Sequence, residues 1–304
     1  MDEATRSSGA GAAGAGAAGT GADAAVAGGA ALSDWRDAPE AVAPTVLLLG
    51  GLFTSPPMYH RVRRRLLERG AAAVVVARVW LPDWLIATRR GLGPILTRSG
   101  RALLEALALS AASPDSRGAP LLVVGHSAGG LTARLLTSPE PFQGRRLGGA
   151  RQIGAVVTLG TPHRVADRRS IGRLLAAHAT GFADRVVPGP RFAPATGYLA
   201  VTSRFVVGRP GGNVRERAAS MLYRGILPLA REQPIDGDGL VPVPAARLAS
   251  VETLVLDGIV HGQFGGSPWY GSPEAIDVWW PKAVEVWRAA LRARIEFDGS
   301  KAGP

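Results

Sequence analysis

A serine attacks a carbonyl only when a neighbouring group takes its proton, and Ser127 stands where the residues around it could meet that need. It lies in Gly125-His126-Ser127-Ala128-Gly129-Gly130, after the apolar run Leu121 to Val124 and before Leu131, Arg134 and Leu135, which share one helix face. A serine on so sharp a strand-to-helix turn takes a strained backbone. That strain is tolerable when the residues two before and two after lack bulk, as Gly125 and Gly129 do. The hydroxyl is then held outward, and the N–H of Ala128, opening the helix, faces any oxyanion formed there.

The nucleophile needs a base, and the base needs a carboxylate to fix its tautomer. Of the five histidines, His163, His178 and His261 follow the turn, and a nucleophile on such a strand-to-helix turn goes with the chain order serine, acid, histidine. His261 is the expected base, because Asp257-Gly258-Ile259-Val260-His261-Gly262 follows the last predicted strand, at the carboxyl edge where ligands bind in such sheets. His126 is expected to point away from the hydroxyl, and His163 and Phe53 to line a substrate pocket. The acid is sought in Asp236-Gly237-Asp238-Gly239-Leu240-Val241-Pro242. Asp238 is preferred because the four residues after it return the chain to the sheet; Asp236 is second, and Asp257 stays open. A second oxyanion donor is assigned to Leu52, in the glycine turn Gly50 to Phe53, where the main chain can approach a carbonyl closely.

These groups need a sheet to gather them. Buried strands are predicted at Thr45 to Leu49, Ala73 to Val79, Leu121 to Val124, Ile153 to Leu159, Tyr198 to Val207 and Val251 to Leu256. Helices fall between the early strands, one launched by Pro56 and Pro57 and ended by Gly70, another over Thr97 to Ser110. The alternation implies a mostly parallel sheet covered on both faces. Arg78 to Gly93 reads as an aromatic loop whose Trp84 is a pocket candidate. A helix capped by Ser170 and another opened by Asn213 and Glu216 read as cap insertions at about 163–195 and 209–235, with Gly181 to Pro194 irregular. The folded domain is expected over 44–295, after a disordered Ala/Gly-rich extension at 1–30 and before a frayed tail at 298–304.

The 304 residues include no cysteine, which excludes disulfides and thiolate sites, and no two histidines sit at i, i+3 or i+4, so neither metal nor cofactor is expected. A net charge of +11 would ordinarily point to nucleic acid, but Lys282 and Lys301 are the only lysines and the arginines are dispersed. No nucleic-acid partner is expected; the charge leaves room for peripheral contact with an anionic membrane. No apolar run is long enough to span a bilayer. The oligomeric state is not readable.

Together, Gly125 to Gly130, Leu159-Gly160-Thr161-Pro162-His163, Asp236 to Pro242 and Trp269-Tyr270-Gly271-Ser272-Pro273 resemble the α/β-hydrolase lipases. They are most similar to a branch found in plants, algae and cyanobacteria, and more distantly to GPI inositol-deacylase-like enzymes. The resemblance covers about residues 44 to 290. It implies an α/β-hydrolase fold with a small helical cap, a serine esterase or lipase activity on small-molecule or lipid esters, and the acid at Asp238. Gly50 stands where such lipases carry a histidine. The expected protein is soluble and intracellular, the resemblance admitting a plastid and otherwise the cytoplasm. Two further expectations stand beside hydrolysis: acyl transfer on the same triad, and ligand binding without turnover.

Overall fold

The apolar runs become the central strands because both of their faces are covered. In the computed structural model, which describes residues 34–165 and 171–301, β1 (Thr45–Leu49), β3 (Leu121–His126) and β4 (Ile153–Leu159) are buried along their whole length. Such strands read as continuous rather than alternating hydrophobic sequence. They join β2 (Ala73–Val76), β5 (Gly197–Arg204) and β8 (Thr253–Asp257) in a six-stranded sheet ordered β2-β1-β3-β4-β5-β8, every pair parallel.

Alternate side chains of each strand feed two cores. Val46, Leu48, Leu122, Val124 and Val157 pack under α1 (His60–Glu68) and α8 (Pro273–Lys301), where Trp279, Trp280 and Trp287 are buried. Leu47, Leu49, Leu121, Val123 and Val156 pack on the other side with residues of α2 (Leu81–Arg90), α3 (Gly93–Ala112), α4 (Ala128–Leu136) and α5 (Ile171–Val186). The sheet is parallel and helices cover both of its faces, as the alternation of the sequence implied. The strand order reverses between β1 and β3, so the loops after these two neighbours leave in opposite directions and open a crevice at their carboxyl ends. Gly51 follows one strand and Ser127 the other.

Between β5 and β8 the chain makes an excursion. β6 (Val206–Gly208) pairs antiparallel with β7 (Ile235–Gly237), and α6 (Val214–Arg224) packs on them through Ala219 and Tyr223; α7 (Val243–Ala246) then leads back to the sheet. Asn213 and Glu216 do form the expected capping box, at 2.9 and 3.0 Å.

Three expectations are corrected. The stretch read as an aromatic loop contains α2: Asp83 accepts from the N–H of Trp80 at 2.9 Å, and Pro82 sits in the first turn, both helix-starting devices. Helix α5 runs through Gly181 to Val186, because Ala179, Ala183 and Val186 are buried in the core, and burial outweighs the weak propensity of one glycine. The last helix continues to Lys301, past the expected onset of fraying. The Ala/Gly-rich extension, the Ser170 cap and residues 302–304 lie outside the described residues.

Candidate active site

Ser127 has φ 54° and ψ −124°, a positive-φ conformation that strains a residue with a Cβ. A Cβ on Gly125 would meet the carbonyl oxygen of Gly129 at 2.5 Å, and one on Gly129 would meet that of Leu49 at 2.2 Å. Neither position admits a side chain. The turn is held further by Ser127 N–H donating to the Leu159 carbonyl at 2.8 Å and by the Thr161 hydroxyl donating to the Ser127 carbonyl at 2.9 Å.

Asp238 arrives directly after β7, and its position is fixed several times over. Its Oδ1 accepts from the N–H groups of Leu240 and Val241 at 3.0 and 2.7 Å, closing a tight turn in which Gly239 has φ +98°. Tyr223, from α6, accepts from Gly239 N–H at 3.0 Å and so pins the same turn to that helix. Oδ2 accepts from the Tyr270 hydroxyl at 3.0 Å. Burial, the charge of Asp238 and this hydrogen bond push the Tyr270 pKa well above its ordinary value, so it stays a donor. The carboxylate is buried.

His261 lies between Asp238 and Ser127. Its Nδ1 is 2.8 Å from Asp238 Oδ2 and its Nε2 3.0 Å from Ser127 Oγ. Its own N–H donates to the Asp238 carbonyl at 2.9 Å, which locks the loop after β8 to the turn after β7. With the carboxylate accepting, Nδ1 carries a proton and Nε2 is free to accept one from the serine.

The other candidates fall elsewhere. Asp236 is exposed on β7, and Asp257 is exposed with an Arg204 ion pair at 4.0 Å. His178 is exposed on α5. His163 does not line the pocket, contrary to expectation. It is buried, its Nε2 3.1 Å from the Thr158 hydroxyl and its Nδ1 3.4 Å from Arg134. Burial first and the Arg134 charge second hold its pKa well below the usual 6.5. Arg134 itself is tied to Asp184 at 2.9 Å.

A cavity of about 940 Å³ opens over Ser127. The pocket candidates Phe53 and Trp84 line it, together with Leu52, Ala128, Ala179 of α5 and Leu222 of α6. The two helices read as cap elements therefore do contribute walls, although α5 is also packed into the core. Arg215 of α6, stacked 4.0 Å over the Phe205 ring, is the one arginine on the lining among the described residues. Neither Leu52 N–H nor Ala128 N–H has a protein acceptor among the described residues. Among those residues, no group of three or more His, Asp and Glu could hold a metal ion, and no helix is long and apolar enough to cross a membrane.

Sequence reasoning missed Tyr59. Its hydroxyl accepts from Gly51 N–H at 2.9 Å and lies 2.9 Å from His126 Nδ1, a contact across 67 residues that no local spacing announces. Tyr270 was in a recognised motif, without a role.

No family model matches the chain, and no curated protein does. Solved structures do. A dienelactone hydrolase from Anabaena variabilis ATCC 29413 is 16% identical, with a TM-score of 0.39 over 81% of this chain and 87% of its own. A monoacylglycerol lipase from Paleococcus ferrophilus is 10% identical, TM-score 0.40, over 82% and 96%. The esterase Est2 from the planctomycete Thermogutta terrifontis is 13% identical, TM-score 0.40, over 81% and 80%.

Proposed function

We propose that the chain is a serine hydrolase that cleaves carboxylic esters through an acyl-enzyme. The observation that carries the reading is the unbroken line from Asp238 Oδ2 through His261 to Ser127 Oγ, at 2.8 and 3.0 Å. As Oγ attacks the ester carbonyl, His261 Nε2 takes the hydroxyl proton, and Asp238 stabilises the imidazolium. The carbonyl oxygen becomes an oxyanion, which the N–H groups of Leu52 and Ala128 receive. Collapse expels the alcohol, protonated by His261, and leaves the acyl group on Ser127. Water, deprotonated by the same ring, then releases the acid and restores the serine.

Apolar acyl groups fit a cavity walled by Leu52, Phe53, Trp84, Leu131 and Leu222. A lipid-like ester belongs to that class. Phe53, Leu222, Leu240 and Phe264 line the cavity and are exposed to solvent as well, which, with a net charge of +11, supports peripheral contact with an anionic lipid surface.

The test is labelling with a fluorophosphonate probe alongside turnover of p-nitrophenyl butyrate. Wild-type protein is expected to label and turn over, and Ser127→Ala to lose the label and about 10⁴- to 10⁶-fold in kcat. Folded wild-type protein that neither labels nor turns over would overturn the reading.

A further inference from the structure

His126 sits next to the nucleophile and is wholly buried, yet the reaction above does not use it. Its two ring nitrogens are both engaged. Nε2 lies 2.7 Å from the backbone carbonyl oxygen of His261, which can only accept. Nε2 therefore carries the proton. Burial first, then the neighbouring His261, lowers the ring's pKa from 6.5 to about 3, so the ring is neutral and Nδ1 is an acceptor. The Tyr59 hydroxyl, 2.9 Å away, supplies the matching donor.

Tyr59 has one proton to give. Thr54 Oγ1 stands at 3.2 Å and donates its own proton to the Gly51 carbonyl at 2.7 Å, so it competes only as a longer, weaker acceptor. Sending the proton to Nδ1 leaves no buried imidazole nitrogen unpaired. Burial pushes the Tyr59 pKa up to about 12, which keeps the hydroxyl a donor. The oxygen of that hydroxyl accepts from Gly51 N–H at 2.9 Å, one residue before Leu52. The loop is close against the site: a Cβ on Gly51 would stand 2.9 Å from Ser127 Cβ.

A directed path thus runs from Gly51 N–H to Tyr59, from Tyr59 to His126, and from His126 to the carbonyl of His261. The main chain of His261 is gripped on both sides, its N–H by the Asp238 carbonyl and its C=O by His126. We propose that His126 is a positioning residue for the hydrolase reaction: one buried ring sets the loop that carries the base and the loop that carries an oxyanion donor in register with Ser127. The proposal rests on the serine-hydrolase reading. It names no new group that touches substrate. Its content is that base and oxyanion donor share a single support, so that disturbing the support costs kcat and not binding.

The test compares His126→Phe, which keeps the ring and loses both hydrogen bonds, with His126→Gln, whose amide N–H can still reach the His261 carbonyl. Turnover of p-nitrophenyl butyrate is read together with the downfield proton resonance of His261 Nδ1–H. His126→Phe is expected to lose about 10²-fold in kcat with KM within about twofold of wild type, and to shift or broaden the resonance. His126→Gln is expected to restore the resonance and recover part of the kcat. Tyr59→Phe, which touches neither Ser127 nor His261, is expected to lose about tenfold in kcat at unchanged KM, and it decides the matter should His126→Phe not fold. A Tyr59→Phe kcat equal to wild type, or a folded His126→Phe with wild-type kcat and resonance, overturns the proposal. The resonance does not require turnover, so an inactive wild-type protein would sink the hydrolase reading while the comparison of variants still reports on His126.

Discussion

The two sides of Ser127 are built differently. On the acid side the Asp238 carboxylate accepts from Leu240, Val241, His261 and Tyr270, and the backbone of His261 is bonded at both ends. On the other side, the N–H groups of Leu52 and Ala128 have no acceptor among the described residues. A carboxylate that carries its charge throughout the cycle must be compensated permanently, or its burial would cost several kcal/mol. In the proposed reaction the oxyanion exists only in passing, and open donors suit it because a partner in the resting state would have to be broken at each turnover.

The largest effect should come from breaking the saturated side. Asp238→Asn keeps the shape of the acid but presents a group that can no longer hold Nδ1–H, and kcat should fall about 10⁴-fold while the fold survives. Steady-state kinetics with a thermal midpoint check this. Disturbing the open side should cost less. In Gly51→Ala the new methyl would crowd Ser127 Cβ at 2.9 Å and His126 Nδ1 at 3.2 Å, so the loop must shift. A loss of about 10²-fold in kcat is expected, with fluorophosphonate labelling retained at a lower rate, since the triad persists. A Gly51→Ala defect as deep as that of Asp238→Asn would show that the two sides are not separable.

The smallest catalytic effect is expected from His163, buried but outside the cavity. His163→Gln should leave kcat unchanged and alter only the pH dependence of stability. The folded ring has its pKa depressed below 6.5, so the unfolded chain binds the extra proton. Stability from keeping this ring neutral is complete above about pH 6.5 and is lost as the pH falls toward the folded pKa, by about 1.4 kcal/mol per pH unit. Removing the ring should flatten the fall in unfolding free energy below about pH 6.5, as read by urea titration. His126 contributes with the same sign, between 6.5 and about 3, and would remain.

How much of this was legible in the sequence follows the range of the interactions involved. Ser127 and its glycines are a local constraint, so spacing alone located them, and strands buried on both faces announce themselves as apolar runs. His261 was singled out because it follows the last predicted strand, and Asp238 was preferred to Asp236 because the chain after it returns to the sheet, a preference the lipase resemblance shares. The side chains that tune the site are different in kind. Tyr59 acts on His126 across 67 residues, and Tyr270 on Asp238 across 32, pairings set by the packed fold alone. His163 failed as a pocket residue because the bond from its ring to Thr158 turns it into the core, a rotamer choice invisible in spacing. Pro82 and Asp83 mark the start of α2, a local signal that the aromatic composition around Trp80 and Trp84 masks.

The backbone of Ser127 has a consequence for the resting molecule. A left-handed φ at a residue with a Cβ carries a standing penalty of about 1–3 kcal/mol, present whether or not substrate is bound. Glycine alone would escape it, and glycine has no hydroxyl. The working chain is thus held away from its own most relaxed form at one point, and an inert Ser127→Gly variant has a route to outlast the active protein on heating.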